Sequence, residues 1–247
     1  MKLKGGLRTK AEENESSIVN DLVHRIGIKP FDTANDFPKY ARKASLTRFM
    51  VLYELFKKII NVKGSIVECG VFQGNGLMTW SKLSAILEPN NIMRRVYGFD
   101  SFEGFPSVSA KDQTLFSKEV KKGGLYSDSE QELKELIKLN DDTRFLGHVS
   151  KTITIKGNAT TTIPDFIDKN SHLLVSLLYL DFDLYEPTIT ALENFIPKMK
   201  NGAIIAFDEL DNPLWPGETL AALEFFSKSK VKIQRFDFDP YVGFIVL

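Results

Sequence analysis

The chain has 247 residues, and lysine plus arginine balance aspartate plus glutamate at 32 each. That length suits one large α/β domain. A neutral balance with no basic block argues against nucleic acid as the partner, because phosphate neutralisation needs clustered cations. Cys69 is the only cysteine, which excludes an intrachain disulfide and a cysteine-built zinc site. No apolar stretch reaches membrane-spanning length, and Met1 to Lys10 is basic and glycine-containing without an apolar signal core. A cytoplasmic protein with no membrane partner is expected.

The first 60 residues read as a helical cap ahead of a domain spanning 61–247. Residues 1 to about 15 are polar and expected to be a mobile end. Ile18 to Ile28 is patterned as a short amphipathic helix. Lys29 to Tyr40 carries two prolines and reads as a loop. Ser45 then caps a helix whose apolar positions, Leu46 to Ile60, recur at three and four.

Gly64 to Val71 reads as the first strand, and Gly70-Val71-Phe72-Gln73-Gly74-Asn75-Gly76 as a glycine turn. Leu77 to Leu87 has helical spacing and ends before Pro89. Arg95 to Asp100 is a second strand ending in an acid. A strand, glycine turn, helix and strand ending in an acid form the opening of a nucleotide-binding βα unit, where glycines let backbone approach a ligand and the acid holds a ribose diol. Ser101 to Asp128 lacks periodicity and is too long for an ordinary connection, so it reads as a lid or substrate loop. Ser129-Glu130-Gln131-Glu132 has the pattern of a capping box.

Thr152 to Lys156 alternates like a strand and runs into Gly157-Asn158-Ala159, followed by a short helix from Thr162 to Lys169. His172 to Phe182 reads as the central buried strand, and its apolar run from Leu177 to Leu180 stops abruptly in Asp181 and Asp183, the signature of a buried parallel strand meeting a ligand crevice. Pro187 starts the next helix. Ala203 to Phe207 is again apolar and again ends in acids, Asp208 and Glu209. Gly217 and Glu218 open a helix. Val231 to Phe236 and Val242 to Leu247, joined by a short turn, read as an antiparallel pair at the sheet edge.

In a parallel sheet, the ends after Phe99, Leu180 and Phe207 face one edge together with the glycine turn. Asp181, Asp183, Asp208 and Glu209 then make an oxygen-only cluster, which suits a hard cation such as Mg²⁺. The plainer alternative has each acid capping its own helix. A short-chain reductase is disfavoured because the only Tyr-x-x-x-Lys, Tyr53–Lys57, precedes the glycine turn.

Four segments carry a resemblance to a family. They are Ile66-Val67-Glu68-Cys69-Gly70-Val71-Phe72-Gln73-Gly74, Gly98-Phe99-Asp100-Ser101-Phe102-Glu103-Gly104-Phe105-Pro106, Leu180-Asp181-Phe182-Asp183-Leu184-Tyr185-Glu186-Pro187-Thr188 and Ala206-Phe207-Asp208-Glu209. With them the sequence resembles class I S-adenosylmethionine-dependent methyltransferases, and within them the TylF/macrocin O-methyltransferases, over roughly residues 45–247. The resemblance implies a doubly wound, mostly parallel seven-stranded sheet with an antiparallel C-terminal edge strand. It implies methyl transfer to a hydroxyl of a small polar molecule, sugar-containing in one version, with S-adenosylmethionine as cofactor and Mg²⁺ assisting.

By the same resemblance, Glu68 and Gly70 lie at the methionine end of the cofactor, Gly74 and Asp181 also contact it, and Asp100 holds the ribose. Ser101 and Phe102 flank the adenosine, with Ala159 beside Asn158. Asn158 stands where the family has an acid near the adenine amine, and its side-chain oxygen is expected to accept that bond. Asp181, Asp208 and Glu209 match metal-binding acids, and Asp183 the base. Which of Asp181 and Asp183 takes the proton stays open at this point, as does a homodimer. The alternative function is a non-catalytic S-adenosylmethionine-binding protein of the same fold.

Overall fold

The computed structural model describes residues 10–247, with side chains from Asn14 onward. The polar start expected to be mobile therefore falls largely outside the described residues. The chain divides into two compact units, Met1–Val51 and Leu52–Leu247.

The first unit is helical. Helix α1 spans Lys10–Ile26, starting earlier than the apolar pattern suggests. The stretch expected to be a loop folds as two short helices, α2 (Pro30–Asn35) and α3 (Phe37–Tyr40). Its prolines fall in the first turns, where the missing N–H has no intrahelical partner to lose. Helix α4, Lys43–Ile59, runs across the division between the units.

The second unit alternates strands and helices: β1 (Ser65–Cys69), α5 (Asn75–Leu87), β2 (Val96–Asp100), α6 (Glu130–Thr143), β3 (Thr152–Lys156), α7 (Ala159–Lys169), β4 (Val175–Leu180), α8 (Tyr185–Phe195), β5 (Met199–Phe207), α9 (Pro216–Phe225), β6 (Gln234–Arg235) and β7 (Gly243–Val246). They form one seven-stranded sheet in the order β3-β2-β1-β4-β5-β7-β6. Strands β1 to β5 are mutually parallel, and β7 is antiparallel to both β5 and β6. The antiparallel strand thus lies one place in from the edge, which two-residue β6 closes. The strand order reverses between β1 and β4, and a crevice opens at the carboxyl ends of strands at such a reversal.

The period of two along each strand sorts side chains onto two covered faces. On one, Val67 and Cys69 of β1, Phe99 of β2, Leu178 and Leu180 of β4, and Ile205 and Phe207 of β5 join Ile163 of α7 and Leu192 and Phe195 of α8 in one buried cluster. Phe99 packs edge-on against Phe166 and Phe195 at 5.3 and 5.6 Å. On the other face, Trp80 of α5 meets Tyr179 of β4 edge-to-face at 5.7 Å. Gly98 lies under α5, where a Cβ would come within 2.8 Å of Leu77. Helices on both faces make the sheet doubly wound. They also explain why β4, apolar except for Ser176, has all six residues buried.

The opposite edge of the sheet is tied by Arg94, which is only 3% exposed. Its guanidinium donates to the carbonyls of Gly64 (2.9 Å), Ile59 (3.1 Å) and Val62 (3.0 Å) and to Ser176 Oγ, and pairs with Glu88 at 2.8 Å. The planar fork of donors suits this convergence on several carbonyls, which a lysine would not match. Nearby, Lys151 is buried and donates to Ser84 Oγ; burial lowers its ammonium to about 8.

Candidate active site

At the carboxyl edge of the sheet, between the ends of β1, β2 and β4, lies a cavity of about 170 Å³. Its wall includes Gly70, Asp100, Ser101, Asn158, Ala159, Asp181 and Asp183, seven residues singled out from the sequence. Phe72, Leu125 and the run Gly104–Ser107 complete much of the rest.

Asp100 organises the first side. Its Oδ2 accepts the backbone N–H of Val71 at 2.7 Å and of Phe72 at 2.8 Å, and its Oδ1 accepts that of Phe102 at 2.7 Å. The acid expected to hold a ribose therefore also clamps the glycine turn to the loop after β2. A carboxylate oxygen can accept two bonds. Oδ2 is filled by the two turn amides, whereas Oδ1 keeps capacity for a ligand hydroxyl. The clamp holds strained backbone, since Phe72 and Phe102 have φ of 51° and 54°. Such values in residues other than glycine cost energy and gather at functional sites.

Gly70 has φ 92°, and a Cβ there would come within 2.6 Å of the carbonyl carbon of Asp181 and closer still to its oxygen. Only glycine lets the end of β1 lie against the end of β4, where Asp181 N–H donates to Cys69 O at 2.7 Å. Gly74 caps α5 with φ 84° and faces Leu133 of α6 instead of the cavity. Glu68, 2% exposed, brings its carboxylate to the first turn of α5, where a Cβ on Gly76 would approach its oxygens at 2.5 and 2.8 Å. An anion is favoured at a helix N-terminus.

Ser101 lines the cavity, but its hydroxyl is engaged in folding the turn, donating to Gly104 O at 2.6 Å and accepting from Glu103 N at 3.1 Å. Phe102 is buried behind the cavity wall. The side-chain oxygen of Asn158 caps α7, accepting from Thr160 N at 3.1 Å and Thr160 Oγ1 at 2.9 Å. In this geometry the oxygen expected to face an adenine amine is engaged by the helix cap, while Asn158 still lines the cavity. Ser129 likewise departs from its pattern. It forms no capping box, and its hydroxyl donates to the carbonyl of Phe72 at 2.5 Å, tying α6 to the glycine turn.

On the second side, β4 ends in Asp181 and Asp183. Asp183 is 8% exposed and has φ 62°, so it too is held in the left-handed region. The next strand end behaves differently. Leu180 and Phe207 are in register, and Asp208 N–H donates to Leu180 O at 2.9 Å, so Asp208 starts beside Asp181. Yet Asp208 is buried and accepts the hydroxyl of Tyr179, while Glu209 accepts from Asn212 Nδ2. Neither lines the cavity. Among the described residues no group of three or more His, Cys, Asp or Glu side chains is placed to hold a metal ion. The expected metal set of Asp181, Asp208 and Glu209 is therefore not assembled in this arrangement, because local partners hold two of its carboxylates.

A residue that the sequence reading passed over stands here. Glu218, in the first turn of α9, is completely buried, and its Oε1 accepts the N–H of Glu209 at 3.0 Å. Burial pushes its carboxyl well above the ordinary range; the Glu209 N–H opposes this, and Asp181, Asp183 and Glu209 add to it. In sequence it is one of several acids in a first helical turn, and nothing there signals its burial. Cys69 is inert by the same physics, since burial raises its thiol and Glu68 and Glu218 raise it further.

The sequence model of the macrocin-O-methyltransferase (TylF) family matches residues 10–240. The chain belongs to the macrocin O-methyltransferase family. Two curated relatives agree. One is the 8-demethyl-8-(2,3-dimethoxy-alpha-L-rhamnosyl)-tetracenomycin-C 4'-O-methyltransferase of Streptomyces olivaceus, 31% identical over 156 residues, which are 60% of this chain and 53% of the relative. The other is the demethyldecarbamoylnovobiocin O-methyltransferase of Streptomyces niveus, 29% identical over 157 residues, again 60% and 53%. The chain thus spans about half the length of these relatives. Among solved structures, the calicheamicin methyltransferase CalS11 superposes with a TM-score of 0.91 at 30% identity, covering 97% of this chain and 93% of that one. Its apo form, named as a TDP-rhamnose 3'-O-methyltransferase, gives 0.82 at 29% identity, covering 97% and 95%. The family's fold is the doubly wound sheet described above. No helix among the described residues is long and apolar enough to cross a membrane.

Proposed function

We propose that this chain is an S-adenosylmethionine-dependent O-methyltransferase acting on a sugar hydroxyl of a small molecule. The observation that carries the reading is the cavity itself. It joins the Gly70–Asp100–Ala159 cradle to Asp181 and Asp183, with Gly104–Ser107 in the same wall. The relatives named for a rhamnosyl-tetracenomycin and for TDP-rhamnose support the sugar.

S-adenosylmethionine supplies an electrophilic methyl on a sulfonium. The chain has three tasks around it. Gly70 and the glycine turn give backbone that a ligand can approach closely, and Oδ1 of Asp100 accepts a ribose hydroxyl. The 104–107 segment, which lines the cavity, restricts the space open to water and acceptor. Asp183 accepts the proton of the acceptor hydroxyl as its oxygen forms the bond to carbon and the carbon–sulfur bond breaks. Alignment of the acceptor is the larger part of this work, because in-line displacement gains most from orientation. General-base removal of the proton adds about 10²–10⁴-fold.

Magnesium rests on donor chemistry alone, oxygens suiting a hard cation, and no step above runs through it. The test is incubation with S-adenosylmethionine and a panel of deoxysugar nucleotides and deoxysugar-bearing small molecules, with added Mg²⁺ or with chelator. Methylated product detected by mass spectrometry supports the reading. Cofactor binding without methylation of any panel member favours the non-catalytic alternative. Turnover unchanged by chelator removes magnesium from the account.

A further inference from the structure

Asp112 lies midway along the connection from β2 to α6 and is only 2% exposed. Its Oδ1 accepts the N–H of Tyr185, the first residue of α8, at 2.6 Å across 73 positions of sequence. Its Oδ2 accepts both the N–H and the hydroxyl of Ser109 at 2.7 Å. Helix α8 has no cap of its own, since Leu184 occupies the N-cap and makes no side-chain bond. Asp112 does that work from another part of the chain, with its charge at the helix end that favours an anion. Gly217 leaves the space: a Cβ there would come within 2.6 Å of Tyr185 N and would overlap Asp112 Oδ1.

Two consequences meet at this carboxylate. Upstream of it, Gly104 to Ser107 form one wall of the cavity. Asp183, two residues before Tyr185, holds a φ of 62°. Backbone strain of that kind persists only where the surroundings over-determine it. Exposed contacts assist: Lys111 Nζ lies 3.7 Å from the centre of the Tyr185 ring and pairs with Glu224, and Thr114 Oγ1 donates to Pro213 O at 2.7 Å.

We propose that Asp112 is a positioning residue, a latch that docks the acceptor loop onto the start of α8 and thereby fixes Asp183 at the cavity. Loop closure and placement of the base are then one event. The inference rests on the reading of this cavity as the methyl-transfer site.

The test compares wild type, Asp112→Ala and Asp112→Asn by hydrogen exchange, calorimetry with S-adenosylmethionine, and steady-state kinetics. In Asp112→Ala, exchange at the Tyr185 amide and across 104–112 should rise by about tenfold or more. Cofactor affinity should stay within about threefold, because Asp112 bonds to Ser109 and Tyr185 and to none of Gly70, Asp100 or Ala159, while kcat falls by about 10²-fold. Asp112→Asn keeps an oxygen for Tyr185 N–H but loses acceptance from Ser109. It should protect Tyr185 while loosening the loop, raising acceptor KM more than it lowers kcat. A merely structural role would lower the melting temperature and leave kcat and KM of the folded enzyme unchanged. That result, or wild-type exchange in Asp112→Ala, overturns the latch. If Asp112→Ala does not fold, Asp112→Asn and Ser109→Ala carry the same comparison. If wild type methylates no acceptor, the functional reading fails, while the exchange arm still decides whether the loop and α8 are coupled.

Discussion

Replacing Asp100 by alanine removes the acceptor of three backbone amides at once, those of Val71, Phe72 and Phe102. Hydrogen bonds to a charged group contribute about 1.5–3 kcal/mol each, and a buried donor left bare costs about 1–3 kcal/mol. The Phe72 amide lies on the exposed side and can turn to water, so its bond counts least. The Val71 side is buried, with 3% of the residue exposed. Two bonds at full weight and one discounted give a loss of roughly 3–6 kcal/mol, against a typical total stability of about 5–15 kcal/mol. Asparagine retains one oxygen for the two turn amides but sets its NH₂ against the Phe102 amide, so its cost should be about half of that. Urea denaturation measures both, and calorimetry measures S-adenosylmethionine affinity in the same variants. The clamp requires stability and affinity to fall together in the order wild type, Asn, Ala. If Asp100→Ala loses cofactor binding but keeps its stability within about 1 kcal/mol of wild type, Asp100 is a ligand group only and the reasoning from its hydrogen bonds is refuted.

Gly70→Ala should destabilise by several kcal/mol or fail to fold, since its Cβ would overlap the Asp181 carbonyl at a φ of 92°; a soluble variant with wild-type melting contradicts the close packing of β1 on β4. Arg94→Met breaks the buried pair with Glu88 and strands several carbonyls, so a loss of about 3–5 kcal/mol is expected in urea, partly recovered in the double variant with Glu88→Gln. Glu218 gives a pH test. Its folded pKa is raised, so the folded state keeps a proton that the unfolded state releases above about pH 4.3, and stability is lost as pH climbs from there toward the folded pKa. Glutamine carries no such penalty. The melting temperature of Glu218→Gln relative to wild type should therefore rise between pH 5 and 8; a flat or falling difference would place an ionised carboxylate at this position.

The fold was legible because its strands are short and covered on both faces. The end of β4, Leu177 to Leu180, reads as a continuous apolar run, and its abrupt stop at Asp181 marks the crevice edge. Where local patterns had distant competitors, they misled. Ser129 has the spacing of a capping box, yet the Phe72 carbonyl, 57 residues away, takes its hydroxyl. Thr162 looked like a helix start, but Asn158 caps α7 from Ala159. The strand expected over Val231 to Phe236 shrinks to Gln234–Arg235, the residues that find partners in β7.

The position of Asp100 was readable from strand spacing. Its grip on three amides was not, because those amides lie in two separate loops. Nothing in the sequence signals the burial of Arg94, Asp112 and Glu218: the partners that receive each lie far along the chain or in a neighbouring turn, and only tertiary packing buries it. The acids after β5 show the reverse. Their pattern pointed to a metal, while the partners that hold them, Tyr179 and Asn212, come from places the pattern does not address.

In the proposed reaction, the cavity between β1, β2 and β4 transfers a methyl group to a hydroxyl whose proton Asp183 accepts. Single-turnover methyl transfer by wild type and Asp183→Asn, with S-adenosylmethionine saturating and a deoxysugar acceptor, tests it most directly. The transfer rate of the variant should fall by about 10²–10⁴-fold, with cofactor affinity unchanged by calorimetry. Transfer at the wild-type rate in Asp183→Asn would contradict it.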